Sequence, residues 1–209
     1  MMSKKYEFTD ETITINGIIL HRIKAVIDFD RFGVKAGDLG GFIEVEANLS
    51  HDGDAWVYGD ALVYGNALVS ENAKVYGDAK VCGNAKVCGN VLVSDNACVS
   101  GNACVSGNAW VSGNAKVSGG AWISENAKIS RDAKIKRSND YVCINGFGSV
   151  YKNATFFRCE DDLIRAQCGP FYGTIDEFRA KIKEAHGDSK YAKEYLMIAD
   201  LMEYHFAED

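Results

Sequence analysis

The chain has 209 residues, a formal net charge of −6 and 25% charged residues, a composition typical of folded proteins that excludes global disorder. No apolar run approaches the length of a membrane-spanning helix, and no apolar stretch follows the first lysines. We therefore expect no membrane contact, no secretory signal and a cytoplasmic location. The seven cysteines are odd in number and are expected to be reduced thiols.

Residues 1–54 are predicted to form an N-terminal β cap and a first coil. Alternating apolar residues on both sides of the Asn16–Gly17 pair predict a β-hairpin. The triplet Ala47-Asn48-Leu49 matches the repeat described next, and a two-residue insertion at His51–Asp52 separates it from that repeat. Because an open end of a repeat coil exposes unpaired strand edges, we expect this segment to cover one end.

A six-residue unit recurs 14 times without interruption over residues 55–136. It starts with Ala in 13 units and with Val91 in one, and two residues later it always has Val or Ile. Residues two apart in a strand point to the same side, so these two columns are predicted to face inwards. The position directly before Ala holds only Asn, Asp and Gly, and we predict that it forms a left-handed corner in every unit. Proline cannot adopt that conformation, which explains why the chain has one proline and 21 glycines.

The 14 units resemble the hexapeptide repeat of the trimeric LpxA-like, acyltransferase-like superfamily. The resemblance implies a left-handed parallel β-helix of triangular section and a homo-oligomer, either a trimer or a dimer. The stretch IKAVIDF…VKAGDLGGFIEVEANLS also resembles the start of an uncharacterised hexapeptide-repeat family of enterobacteria and phages, which implies a bacterial host cell. The predicted fold class is mainly β, with about five triangular coils, a small N-terminal β cap and a C-terminal α+β module that ends in two helices.

Residues 137–209 are predicted to form this C-terminal module. Alternation over 141–173 indicates two or three strands. Thr174 and Glu177 form a capping box at the start of a helix that Gly187 ends, and Ser189 is placed to cap a second helix. The string CGPFYGTIDEFRAKIKEAHGD is similar to a module of predicted proteins from phages of gut bacteria.

No catalytic residue, metal site or cofactor is predicted. Acyltransferases of the LpxA-like superfamily, which the repeat resembles, place a catalytic histidine on a loop outside the coil. The 14 units here contain neither a loop nor a histidine. Of the four histidines, only His51 lies at a suitable place, the suspected insertion, and a turn or cap role is the favoured interpretation. Cys159, Cys168 and His186 can converge in the fold, but their spacing matches no zinc-binding pattern.

Outward aromatic side chains are the first candidate binding residues. Those of the early units form an apolar patch that we expect the N-terminal cap to cover; they are Trp56, Tyr58, Leu62, Tyr64, Leu68 and Tyr76. Trp110 and Trp122 lie further along, on different faces. We predict that they contact a neighbouring subunit, the C-terminal module or a partner.

Outward lysines and cysteines form the second set of candidates. Lys80, Lys116, Lys134 and Lys136 are predicted to share one face, which is either a solvated face or a site for an anion or phosphate. The outward cysteines are predicted to pair by face, Cys82 with Cys98 and Cys88 with Cys104. The favoured interpretation is that they are small outward residues that replace serine.

The favoured function is a non-catalytic interaction protein of a phage or mobile element, with the coil as an oligomerising scaffold and the C-terminal module as the recognition element. An inhibitor of a bacterial defence system, which binds a host protein or sequesters a small nucleotide signal, fits this class. The alternatives are an acyltransferase that uses acyl-CoA and a structural phage component. No segment is strongly basic, so direct binding to duplex DNA is not expected.

Overall fold

The computed structural model describes residues 4–149, 151 and 153–207, and it begins with an antiparallel hairpin. Strands β1 (Tyr6–Ile15) and β2 (Ile18–Ala25) are joined at Asn16 and Gly17, which both have positive φ. Strand β3 (Leu39–Ile43) pairs antiparallel with β2 and parallel with a strand of the repeat. The N-terminal segment therefore covers the start of the coil and also extends one of its sheets.

The repeat forms a β-solenoid of about five turns between residues 42 and 135. Each strand pairs in parallel with the strand three units further along, so the units build three parallel sheets that enclose one interior. The left-handed sense of the coil stays a prediction. The 14 short strands are β4 (Trp56–Val57), β5 (Leu62–Val63), β6 (Leu68–Val69), β7 (Lys74–Val75), β8 (Lys80–Val81), β9 (Lys86–Val87), β10 (Leu92–Val93), β11 (Cys98–Val99), β12 (Cys104–Val105), β13 (Trp110–Val111), β14 (Lys116–Val117), β15 (Trp122–Ile123), β16 (Lys128–Ile129) and β17 (Lys134–Ile135).

The interior of the solenoid contains the two predicted columns. From Ala55 to Ile135, the Ala and the Val or Ile of every unit are at most 1% exposed. From Trp56 to Lys116, the backbone N–H of the intervening residue bonds to the next coil, as in Lys80 N to Ala97 O at 2.9 Å. The N–H groups of Trp122 and Lys128 donate instead to Ser138 Oγ and Thr155 Oγ1 beyond the solenoid. Burial of alternate residues and hydrogen bonding between coils thus act together in every unit that has a further coil to pair with.

The left-handed corner lies one residue earlier than predicted. Positive φ occurs in the column before Asn and Asp, at Gly in most units and at residues such as Glu71 where Gly is absent. A Cβ on Gly83 would lie 3.0 Å from the backbone nitrogen of Gly101 in the next coil, so close stacking as well as conformation favours Gly there. The Asn column instead forms side-chain ladders. Asn84, for example, donates to Asn102 at 2.9 Å.

Past the solenoid, an antiparallel sheet of four strands precedes two helices, where the sequence predicted two or three strands. The elements are β18 (Tyr141–Ile144), β19 (Ala154–Arg158), β20 (Ile164–Cys168), β21 (Phe171–Thr174), α1 (Ile175–His186) and α2 (Lys190–Phe206). The capping box is confirmed, since Thr174 Oγ1 accepts from the Glu177 N–H at 3.3 Å and Glu177 accepts in return. No helix of the described residues is long and apolar enough to cross a membrane.

Strand β19 attaches this module to the last coil. Thr155 Oγ1 accepts from the backbone N–H of Lys128 at 3.1 Å, and Phe157 and Cys159 belong to the buried cluster of the solenoid. Residues on the other side of the strand, such as Phe156, belong to the separate core formed with the helices. The module therefore covers the second end of the solenoid and leaves a groove between the last coil and α2.

Candidate functional site

The groove between the last coil and α2, called the end groove below, has a volume of about 1120 Å³. Three elements supply its walls: the last strand of the solenoid with the turn after it, the end of β19, and the C-terminal half of α2. It is lined by Lys134, Lys136, Arg137, Asn139, Asp140, Arg158, Cys159, Asp162, Leu201, Tyr204, His205 and Ala207. Four of these side chains are basic and two are carboxylates, in a chain whose formal net charge is −6.

Asp140 organises the basic wall of the end groove. It is 4% exposed and accepts from the backbone N–H groups of Lys136 at 2.8 Å and Arg137 at 2.9 Å. The same carboxylate lies 3.3 Å from Arg137 Nη2 and 3.7 Å from Arg158 Nε. Asp140 therefore orients Arg137, whereas Arg158 is held between Asp140 and the carbonyl oxygen of Phe206, to which its Nη2 donates at 2.8 Å. Each guanidinium keeps further N–H donors for other acceptors.

The two lysines of the groove are unpaired within the described residues. Lys134 and Lys136 make no ion pair or side-chain hydrogen bond in that part of the chain. Opposite them, α2 presents Leu201 at 57% exposure and Tyr204 at 82%. The groove thus has one cationic wall and one apolar, aromatic wall.

The predicted lysine face is present, but only part of it reaches the groove. Lys80, Lys116 and Lys134 occupy equivalent positions of one sheet, through the pairings of β8, β11, β14 and β17. The Nζ of Lys116 lies 2.5 Å from Glu160 Oε1 in the C-terminal module. Arg137 and Arg158 were missed by the sequence reasoning. The end of the hexad pattern at Lys136 was the only signal near the first of them, since the sequence did not show where β19 docks.

The N-terminal segment covers the first part of the outward aromatic patch. Trp56 is fully buried, with its ring centroid 5.1 Å from that of Phe29 and 6.2 Å from that of Tyr6. Leu62 is 6% exposed in a small cluster with Phe42 of the cap.

The tyrosines of this patch are half-buried. Lys74 Nζ lies 4.5 Å from the ring centre of Tyr58 and 5.1 Å from that of Tyr76. Burial raises the pKa of Tyr58 and of Tyr64 to about 12. Tyr58 and Tyr64 pack against clusters that include residues of the N-terminal segment, whereas Tyr76 has only the contact with Lys74. None of the three lines the end groove.

Trp110 and Trp122 lie on different sheets, as predicted, and stay 49% and 60% exposed. Lys128 Nζ lies 5.2 Å from the ring centre of Trp110. Trp122 lies beside the first strand of the C-terminal module, where its backbone N–H donates to Ser138 Oγ at 3.1 Å. With Tyr141 it lines a shallow cavity of about 390 Å³.

His51 connects the N-terminal strand to the insertion. Its Nδ1 accepts from the backbone N–H of Lys5 at 3.1 Å, and its Nε2 lies 2.9 Å from Glu46 Oε1. The ring is also stacked on Tyr6, with 4.4 Å between centroids. Both ring nitrogens therefore have partners within the cap, which favours the turn or cap role for His51.

The structure separates the cysteine and histidine candidates for a zinc site. Cys168 and His186 line a cavity of about 240 Å³ in the C-terminal module, whereas Cys159 is packed against the solenoid. Cys159 does lie close to Asp132 and Asp161, with possible ligand atoms within 4.8 Å of one another.

Other partners occupy those carboxylates. Arg165 pairs with Asp132 at 3.3 Å and with Asp161 at 2.7 Å, and the hydroxyl of Tyr172 donates to Asp132. This arrangement is an ion-pair network around Arg165.

Comparison with known proteins found a match within the six-residue repeat. Residues 55–71 and 97–113 match a family model described as the YdcK beta solenoid repeat. No curated protein matches the chain. Both matched segments lie within the solenoid, so the chain is similar to YdcK-type β-solenoid repeats there, and the similarity concerns the fold.

Proposed function

We propose that this protein is a non-catalytic interaction protein that binds a phosphate-bearing small molecule of the nucleotide class in the end groove. The observation that carries the proposal is the concentration of four basic side chains around one concave site of an otherwise acidic chain. A concave site with a few convergent polar groups is the usual form of a small-molecule site. A protein partner would more commonly use a broader and flatter surface.

The basic wall suits phosphate oxygens. Asp140 orients Arg137, and Asp140 and the carbonyl oxygen of Phe206 together orient Arg158. An oriented guanidinium can donate two parallel hydrogen bonds to a phosphate. Lys134 and Lys136 add two ammonium groups with no partner among the described residues. The two carboxylates, Asp140 and Asp162, offset only part of the positive charge of the four basic groups, so an anion in the groove would meet a net attractive field.

The opposite wall suits a base. Tyr204 and Leu201 on α2 present an exposed ring and an exposed aliphatic side chain towards the groove. Stacking on an aromatic ring contributes about 1–3 kcal/mol per base and tolerates any base. The volume of about 1120 Å³ is at the upper end of common small-molecule sites, which favours a nucleoside polyphosphate or a dinucleotide over a single phosphate ion.

The remainder of the chain supports this role as a scaffold. The solenoid presents the groove at one end, and the exposed rings of Trp110 and Trp122 provide surfaces for assembly into an oligomer. In a phage or mobile element, such a protein would lower the concentration of a nucleotide signal by sequestering it. This would inhibit a bacterial defence system that depends on the signal.

Titration calorimetry tests the proposal with three probes: ATP, cyclic di-AMP and inorganic pyrophosphate. We expect saturable binding of at least one of the two nucleotides. The double variant Lys134→Glu/Lys136→Glu should weaken binding at least about tenfold, because two attractive charges become repulsive. The matched control, Lys80→Glu/Lys86→Glu, changes two exposed lysines remote from the groove and should bind as the wild type does.

A second variant tests the aromatic wall. Tyr204→Ala should lower nucleotide affinity and leave pyrophosphate affinity unchanged, since pyrophosphate has no base to stack. Failure of both nucleotides to bind at millimolar concentration would overturn the proposal, and so would equal losses in the two charge-reversal variants.

A further inference from the structure

The cavity of about 240 Å³ in the C-terminal module lies between the sheet and the two helices. The turn that joins β20 to β21, with Gly169 and Pro170, forms one side of it. Helix α1 contributes residues 178, 181, 182, 185 and 186, a spacing that places all five on one face of the helix. Tyr195 of α2 is also part of the lining. The cavity shares no lining residue with the end groove, so the two are separate places in the molecule.

Rings and an aliphatic side chain form the buried part of the cavity wall. Phe178, Ile182 and Tyr195 are 1%, 7% and 5% exposed. The ring centroid of Phe178 lies 5.6 Å from that of Phe171 and 5.7 Å from that of Tyr195. The hydroxyl of Tyr195 donates to the carbonyl oxygen of Phe147 at 3.2 Å, so the polar end of that ring has a partner within the module. This part of the wall is therefore a fixed, mainly aromatic surface.

The more exposed part of the wall is basic. Lys181 and His186 line the cavity, and no carboxylate does among the described residues. The ammonium of Lys181 pairs with Glu184 at 2.9 Å and keeps donors for a second acceptor. The ring of His186 is stacked on Tyr195, with 6.2 Å between centroids, and its nitrogens have no hydrogen-bond partner in the part of the chain that the structure describes. A ligand would thus meet rings on the inside and polar hydrogen-bonding groups at the mouth.

We propose that this cavity is a second binding site, which takes a small planar aromatic carboxylate with its rings inside and its carboxylate at the mouth. An apolar cavity of about 150 Å³ can hold benzene. This cavity therefore has room for two fused rings. The aromatic wall favours a planar ring system over an acyl chain, because ring–ring contacts add to the gain from burying apolar area. The carboxylate then lies beside Lys181 and His186, where a charge-assisted hydrogen bond can form.

Titration calorimetry on the full chain tests the ligand class with four probes: indole-3-carboxylate, indole, octanoate and acetate. Indole-3-carboxylate should bind saturably with a dissociation constant of about 1 mM or lower. Indole should bind about threefold more weakly, since it has no charge to pair with Lys181. Acetate should not bind. Absence of indole-3-carboxylate binding, octanoate binding of equal strength, or indole binding of equal strength would each overturn the proposal.

A charge variant tests the mouth of the cavity. Lys181→Glu should weaken binding of indole-3-carboxylate at least about fivefold and leave the affinity for indole unchanged, because only the acid carries a charge. Lys183→Glu is the matched control, since Lys183 is an exposed residue of the same helix that does not line the cavity. Equal effects of the two variants on indole-3-carboxylate would show that Lys181 acts only through the overall charge of the helix, and would contradict the proposed position of the carboxylate.

A blocking variant tests the place of binding. Ala185 is exposed and lines the cavity, so Ala185→Trp should obstruct it without altering the buried wall and should abolish binding of indole-3-carboxylate. Ala180→Trp is its control, at an exposed position of the same helix outside the cavity. Neither variant should alter nucleotide binding in the end groove, so the two proposals stand or fall separately. Unchanged binding of indole-3-carboxylate in Ala185→Trp would place the ligand elsewhere and overturn the assignment.

Discussion

The solenoid and the C-terminal module fill their interiors with different side chains. The solenoid buries mostly Ala and Val, repeated in every coil, and the units before the last coil make the same coil-to-coil hydrogen bonds. The module buries aromatic rings that contact one another, such as Phe156, Phe178 and Tyr195. Its buried residues follow no repeating pattern. In the solenoid, residue types can therefore differ between units only at the outward positions and at the ends. The module instead contributes cavities, charged side chains and an exposed helix face.

The largest expected effect comes from the ring core of the module. Phe178→Ala should lower the free energy of unfolding by about 3–5 kcal/mol, because Phe178 is 1% exposed and lies within 6 Å of three other rings. Since repeat units contact mainly their neighbours, the loss should stay within the module. Hydrogen exchange measured by mass spectrometry should show faster exchange over 154–207 and unchanged protection in the central coils.

The control for this variant is Tyr204→Ala on the exposed face of α2, which should leave exchange unchanged. Faster exchange throughout the solenoid in Phe178→Ala would show instead that the solenoid and the module unfold as one cooperative unit.

A corner glycine should give the next largest effect, this time in the solenoid. Gly89 has φ +85°, and a Cβ there would lie 2.6 Å from the carbonyl oxygen of Gly107. Gly89→Ala should therefore cost about 2–4 kcal/mol, from left-handed strain and from the clash between coils. Chemical denaturation measures the loss.

Gly120→Ala is the matched control, because Gly120 has no atom within 4 Å of an added Cβ and no positive φ. We expect it to be neutral or to stabilise by up to about 1 kcal/mol. Similar losses in the two variants would mean that the stacking of the corners has no special role.

The residue types that recur at each position of the six-residue unit predicted the solenoid well, because the same positions face inwards in every coil. The corner was placed one residue late because Asn and Asp tolerate left-handed backbone, yet here their side chains form ladders such as Asn66 to Asn84. The composition of that column was compatible with both roles, and only the stacking of coils decides between them.

The end groove was less accessible to sequence reasoning. Lys134 and Lys136 were identified, but Arg158 joins them only because β19 docks on the last coil. That docking depends on Thr155 and Phe157, which look like ordinary strand residues in the sequence. A non-repeating region gives no internal copies from which such a contact can be recognised.

The smallest expected effect concerns the insertion near residue 51, where the spacing of the repeat departs from six residues. Lys5 is 2% exposed there, and its Nζ donates to the carbonyl oxygens of Ala55 at 2.8 Å and Gly53 at 3.2 Å. Burial lowers the pKa of Lys5 to about 8, against the opposing effect of Asp54 and Asp52.

Between pH 8 and 10.5, the unfolded chain keeps a proton that the folded chain has released. The free energy of unfolding should therefore rise with pH in this window, and Lys5→Met should lack that contribution. Cysteines and tyrosines titrate in both proteins and cancel in the difference. Wild-type stability minus that of Lys5→Met, from denaturation at several pH values, should grow by about 2–3 kcal/mol across the window. Parallel curves would mean that Lys5 keeps its ordinary pKa and that the insertion is as well solvated as a surface loop.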